Sequence, residues 1–146
     1  MAEKNFTPDI FEALDSLKVR RSIPVGALLF QSGRPPQGVY LIESGQVLLL
    51  LSSGNSRQKV FETVECGGVL GLSETLTGET HKLTAKATCE TEVSFVKRSD
   101  MMRFLRSHHE YCLQIVCMLS EDLHTLYRKY RTMEKGREGE RKAAVS

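Results

Sequence analysis

The sequence predicts a mainly β fold with flanking helices, and three observations support this class. Between residues 22 and 96, short apolar segments of strand length are separated by turns that contain glycine, proline, asparagine or serine. A glycine-rich stretch at 67–71 interrupts this series. Helical patterns lie before and after the strands and do not alternate with them. The arrangement is typical of a β-sandwich or β-roll.

The composition indicates one ordinary globular domain. The 146 residues carry a formal charge of +2, with 26% charged and 40% hydrophobic residues. This charge is too balanced to indicate binding to nucleic acid or to a membrane. The four cysteines form no Cys-x-x-Cys pair, there is no signal peptide, and no apolar run approaches the roughly 18 residues of a membrane span. We therefore expect a cytoplasmic protein with free thiols and no membrane partner.

A helix is predicted at the start of the domain, followed by seven strands. Thr7-Pro8-Asp9 has the order of an N-cap, a first-turn proline and a first-turn acid, and Ile10, Phe11, Leu14 and Leu17 follow on one helical face. The predicted strands are 22–25, 27–30, 38–42, 46–51, 58–64, 82–87 and 92–96.

The glycine-rich stretch is the first candidate site. Gly67, Gly68 and Gly71 permit positive φ and close approach of the backbone, and the turn Leu-Ser-Glu-Thr-Leu at 72–76 follows them. The first N–H groups of such a turn can face an anion. Glycine-rich loops also form plain bends, so both interpretations stay open at this point.

The C-terminal part is predicted to be helical. Ser99-Asp100 is the expected cap of a short helix, and a longer helix is expected from about residue 108 to residue 133. Apolar residues on this longer helix form a narrow heptad seam, which consists of Cys112, Val116, Leu119, Leu123, Leu126, Tyr130 and Met133. Such a seam either packs on the β-roll of its own chain or forms a parallel dimer, and its narrowness favours the dimer.

These features together resemble the cyclic-nucleotide-binding domain of the Crp/Fnr family of bacterial regulators. The resemblance rests on Gln31-Ser32-Gly33, the strand from Val39 to Ile42, the loop from Gly67 to Ser73, and the two strand segments 84–87 and 92–96. It implies a jelly-roll sensor with its N-terminal helix at 1–107 and a dimerisation helix at 108–134. The residues after Met133 are rich in charge and lack apolar periodicity, so 135–146 is expected to be a disordered basic tail, with a nucleic-acid contact as the alternative.

The resemblance also implies a phosphate-binding cassette, from which this sequence departs. The family has a glutamate for the ribose and an Arg-Ser or Arg-Thr pair for the cyclic phosphate. Here Leu72 stands in place of the glutamate and His81-Lys82 in place of the pair. Lysine offers a point charge without the fork of arginine, and histidine can carry a charge near physiological pH. The expected ligand-binding residues are Gly71, Leu72, Ser73, His81, Lys82 and Tyr127.

The sequence leaves two main functions open. The first is a homodimeric sensor that binds a nucleotide or other anionic small molecule and signals by rearranging its helices. The second is a module without a ligand that pairs with a longer, full-length regulator. We expect no enzyme, metal or other cofactor, because only His81 lies in the β region and the cysteines are not clustered. We also expect no DNA-reading domain, because too few residues follow Met133.

Overall fold

The computed structural model describes residues 6–52, 57–120 and 128. Helices lie at both ends of a series of eight strands, as expected for a mainly β fold with flanking helices. The helices are α1 (Pro8–Ala13), α2 (Leu72–Thr77), α3 (Arg98–Ser107) and α4, whose described part covers residues 109–120. The strands are β1 (Val19–Ile23), β2 (Leu28–Phe30), β3 (Gly38–Ser44), β4 (Val47–Ser52), β5 (Gln58–Val64), β6 (Val69–Leu70), β7 (Thr84–Ala87) and β8 (Thr91–Lys97).

The strands form two four-stranded antiparallel sheets. The first sheet has the order β1-β8-β3-β6 and the second has the order β2-β7-β4-β5. Strands that are neighbours in a sheet are mostly distant in sequence, which is typical of a roll and not of a simple meander. The predicted fold class is confirmed.

The space between the two sheets holds an inner core. Its side chains come from both sheets, because alternate residues of each strand face inward. The inner core consists of Leu29, Tyr40, Ile42, Val47, Leu49, Val64, Leu70, Leu83, Ala85, Ala87, Val93 and Phe95.

An outer core covers the other face of the first sheet. Here β3, β6 and β8 contribute the side chains that point away from the roll, and all four helices contribute apolar side chains opposite them. The helices are therefore attached to one face of one sheet. The outer core consists of Phe6, Ile10, Leu14, Val39, Leu41, Val69, Leu72, Val96, Met101, Phe104, Leu105 and Ile115.

Several element boundaries differ from those expected from the sequence. Thr7 caps α1 as expected, and its Oγ1 accepts a hydrogen bond from the Ile10 N–H at 3.4 Å, but the helix ends at Ala13. Strand β1 begins at Val19, where pairing with β8 overrides the polar sequence. Ser99-Asp100 is not the cap of α3, since the helix begins at Arg98 with Lys97 as N-cap.

Candidate functional site

The glycine-rich stretch forms the entry to α2. Gly71 is the N-cap of this helix and has φ of +80°, a conformation that favours glycine. A Cβ atom at Gly71 would lie 2.9 Å from the carbonyl oxygen of Gly38 and 3.7 Å from Cε1 of His81. The backbone of Gly71 therefore lies directly against β3 and against the ring of His81, and a larger residue would separate these parts.

His81 lies inside the roll. Only 2% of the residue is exposed, and its ring stacks on the ring of Phe30 with 3.9 Å between centroids and an interplanar angle of 11°. Its backbone is fixed at both ends, because the His81 N–H donates to the carbonyl of Arg34 and its carbonyl accepts from the Gly33 N–H. The ring is therefore held in place by both the backbone and an aromatic neighbour.

The two ring nitrogens of His81 have no hydrogen-bond partner among the described residues. The nearest charged group is the carboxylate of Glu74 on α2, whose Oε1 lies 3.6 Å from Nδ1. This distance is too long for a hydrogen bond but short enough for an electrostatic interaction. Buried polar side-chain atoms are usually paired, so this ring is an exception within the roll.

A continuous series of aromatic rings extends from His81 across the inner core. Tyr40 lies 5.9 Å from Phe30 and 4.9 Å from Phe95, measured between ring centroids. The Tyr40 hydroxyl donates a hydrogen bond of 3.0 Å to the carbonyl of Leu29. Burial raises the pKa of Tyr40, and the positive charge of Arg21 partly opposes this shift. These rings occupy the inside of the roll.

The structure brings only some of the expected ligand-binding residues together. Gly71 and His81 are adjacent. Leu72 is buried in the outer core with the helices, away from the inner core that His81 adjoins. Ser73 and Lys82 are exposed. Tyr127 lies outside the described residues, and a shared site for all six stays a prediction.

Two contributors to this region were not expected from the sequence. Phe30 stacks on His81, but on its own it is an ordinary apolar strand residue. Arg98, at the start of α3, donates from Nε to the carbonyl oxygen of Thr75 on α2 at 2.9 Å. This bond joins α2 to α3. No local pattern indicates either contact, since both depend on residues more than 20 positions apart.

Helix α4 packs one face on the outer core of its own chain. Ile115 is 1% exposed at the centre of this face. The partly buried residues around it are Tyr111, Cys112, Met118 and Leu119. Two seam residues, Cys112 and Leu119, thus contact the domain, whereas Val116 remains 56% exposed and Leu113 beside it 68% exposed. The seam residues Leu123, Leu126, Tyr130 and Met133 lie outside the described residues, and the dimer seam stays a prediction.

Comparison with known proteins shows the family to which this chain belongs. The sequence model of the cyclic nucleotide-binding domain matches residues 20–108, more than half of the chain. The chain belongs to the cyclic nucleotide-binding domain family. The resemblance inferred from the sequence is therefore confirmed.

Solved structures with the cyclic nucleotide-binding fold of the Crp type superpose well on this domain. The catabolite activator protein of Thermus thermophilus is 22% identical, with a TM-score of 0.76 over 88% of this chain and 60% of that chain. The c-di-GMP responsive global regulator of Xanthomonas campestris is 16% identical, with a TM-score of 0.75 over 90% and 64%. A cyclic nucleotide-binding domain from Methylobacillus flagellatus is 17% identical, with a TM-score of 0.76 over 92% and 75%.

This member of the cyclic nucleotide-binding domain family matches only part of the length of the two regulators. The chain spans 60% and 64% of the length of the two regulators. No curated protein matches the chain. Among the described helices, none has the length and apolar character needed to cross a membrane.

Proposed function

We propose that this domain is a homodimeric, cytoplasmic sensor module without enzymatic activity, which binds a nucleotide or another anionic small molecule beside α2. The observation that carries the proposal is the imidazole of His81, which is buried against Gly71 with neither nitrogen hydrogen-bonded to a described residue. An unpaired buried polar group costs about 1–3 kcal/mol, and a ligand group that bonds to it recovers this energy. Membership of the cyclic nucleotide-binding domain family supports the same location.

A chain of contacts between described residues connects this site to the helices. A ligand that touches His81 also approaches Glu74 on α2, since the two side chains lie 3.6 Å apart. Helix α2 is tied to α3 through Arg98 and Thr75, and both helices share the outer core with α4. Ligand binding signals through α4 only if the ligand binds one arrangement of these helices more tightly than another.

A thermal-shift titration with cyclic AMP, cyclic GMP and cyclic di-GMP tests the sensor. A ligand at 100 times its Kd should stabilise the domain by about 2.7 kcal/mol and raise Tm by several degrees. We expect Lys82→Ala to reduce this shift, because Lys82 follows His81 and is exposed. Lys86→Ala is the matched control, since Lys86 is an exposed lysine four residues further along. An equal loss in both variants would contradict ligand binding at this position, and no shift with any of the three would exclude these cyclic nucleotides as the ligand.

The proposed homodimer interface includes the exposed apolar residues Leu113 and Val116 on α4. We expect Val116→Glu to convert the dimer to a monomer, because a carboxylate would then be placed in an apolar contact. Val19→Glu is the matched control, since Val19 on β1 is 51% exposed and Val116 is 56% exposed. Sedimentation equilibrium at micromolar concentration measures both. A wild-type mass of one chain, or equal dissociation in the two variants, would exclude this interface.

A second candidate function is supported by the aromatic rings inside the roll. The series from His81 through Phe30 and Tyr40 to Phe95 occupies the inner core, and Leu72 contacts the helices instead of the roll interior. These contacts favour a module that binds no ligand and pairs with a full-length regulator through α4. Formation of a heterodimer with such a regulator, together with no thermal shift, would support this second function.

A further inference from the structure

A cleft of about 310 Å³ lies at a different place, between the start of α3 and the edge of the first sheet. It is formed where β8 ends and α3 begins, next to the loop that precedes β3 and to strand β1. This volume is at the lower end of the roughly 300–1,000 Å³ found for ligand pockets, so the cleft suits a small ligand. Residues that line the cleft include Arg21, Gln37, Phe95, Lys97, Arg98 and Ser99.

The charges around the cleft all have one sign. Arg21, Lys97 and Arg98 line it, and none of the described residues that line it is acidic. The acidic residue in the first turn of α3, Asp100, is not part of the lining and lies 3.8 Å from Nη1 of Arg103. Three positive charges in one small cleft repel one another, and an anion placed between them removes that repulsion.

Two of the three cations are held in position. The guanidinium carbon of Arg21 lies 4.0 Å from the centroid of the Phe95 ring, a cation–π contact that fixes its plane. Arg98 is anchored by the bond from its Nε to the Thr75 carbonyl, at 2.9 Å, and its Nη2 lies close to Gly78 at the end of α2. Arg98 therefore adds a positive charge beside the cleft, whereas Arg21 offers the guanidinium whose N–H groups can contact an oxyanion.

The start of α3 supplies further donors at the same place. The N-cap residue Lys97 makes no capping hydrogen bond with its side chain, and the Arg98 N–H donates to the Gln37 carbonyl. The next residue, Ser99, is exposed and lines the cleft. Cationic side chains and a serine residue thus surround a concave space.

We propose that this cleft binds a phosphate group, either as the free ion or at the end of a small phosphate ester. Tetrahedral phosphate presents several oxygens and more negative charge than a carboxylate, so it matches the guanidinium of Arg21, the ammonium of Lys97 and the nearby charge of Arg98 better than a single carboxylate does. Through Arg98, the occupied cleft is linked to α2 and so to the region of His81. The site is separate from the one proposed for the sensor ligand.

Titration of the 15N-labelled protein with inorganic phosphate, followed by amide NMR, tests the proposal. We expect saturable shifts at the amides of Arg98 and Ser99. Arg21→Gln and Lys97→Gln should each weaken binding at least tenfold. The matched controls are Arg20→Gln and Lys86→Gln, because both residues are exposed cations outside the lining of the cleft. Arg20 is next to Arg21 on β1, and Lys86 lies on β7. Glycerol 3-phosphate in the same titration distinguishes a site for the ester from a site for the free ion.

Several outcomes would overturn the phosphate site. One is that the amide signals show no saturable chemical-shift changes at a phosphate concentration ten times the Kd of a roughly millimolar site. Another is an equal loss of affinity in the Arg20 and Arg21 variants, which would indicate a general charge effect. Binding of a polyglutamate peptide in place of phosphate would assign the cleft to an acidic protein surface. If Lys82→Ala abolishes phosphate binding and Arg21→Gln does not, the phosphate lies beside α2, which would leave the sensor proposal intact.

Discussion

Replacing His81 with alanine is expected to lower the free energy of unfolding by about 2–4 kcal/mol. The ring is fully buried, and its removal leaves a cavity against Phe30, where the two rings are 3.9 Å apart. Urea denaturation of the wild type and the variant, fitted with one common m-value, measures the loss of unfolding free energy. His109→Ala is the matched control, because His109 is exposed on α4 and should change stability by less than about 0.5 kcal/mol.

His81→Phe separates the shape of the ring from its nitrogens. Phenylalanine fills a similar volume and carries no buried polar atom, so this variant should be as stable as the wild type or more stable. A stable His81→Phe variant that has lost a ligand-induced thermal shift would show that the nitrogens serve binding and not folding. If His81→Phe unfolds as easily as His81→Ala, the ring nitrogens are paired in the folded protein and the sensor proposal loses its main observation.

Gly38→Ala is expected to destabilise the domain by about 3 kcal/mol or more. A Cβ at this position would meet the carbonyl oxygen of Val96 and lie 2.8 Å from Cζ of Phe95. Neither atom can move freely, because Gly38 pairs with Lys97 at the end of the β3–β8 ladder and Phe95 is part of the inner core. Such overpacking against backbone costs more than an ordinary change of side-chain volume.

Gly26→Ala is the control for Gly38→Ala. Gly26 has φ of +83°, and nothing lies within 4 Å of the Cβ that alanine would add. Its substitution therefore costs only the conformational strain of roughly 1–2 kcal/mol. Thermal denaturation of both variants under the same conditions compares them. A smaller loss for Gly38→Ala than for Gly26→Ala would contradict the close approach of β3 to β8.

The sequence predicted most of the strands because apolar segments and turn residues coincide along the chain. Strand β5 has the predicted bounds, 58–64, and the turn before β4 contains Gly45. Strand β6 was missed, because two apolar residues between glycines carry no period and gain their partners from β3. The start of β1 was placed three residues late, since its charged residues pair with β8 through backbone bonds that no local pattern encodes.

The candidate site was less predictable than the fold. The family resemblance indicated that His81 belongs near Gly71, and the structure places the two residues close together. The same resemblance placed Leu72 among the ligand-binding residues, whereas the structure buries it in the outer core with the helices. On α4, the sequence analysis did not single out Ile115. It lies outside the predicted seam and is the most buried residue in the described part of the helix, on a face that is wider there than two positions per heptad. The dimer seam itself stays a prediction.

The helices lie on one face of one sheet, so the domain has two layers that are held by different kinds of contact. Within each sheet the strands are joined by directional backbone hydrogen bonds, which resist displacement. The helix layer packs on the first sheet through the apolar contacts of the outer core, and the bond from Arg98 to Thr75 joins α3 to α2 within that layer. Apolar contacts are non-directional, so packed helices can shift by an ångström or two while a sheet keeps its register. In the proposed sensor, a ligand that moves α2 would therefore also move α3, while the strands keep their pairing.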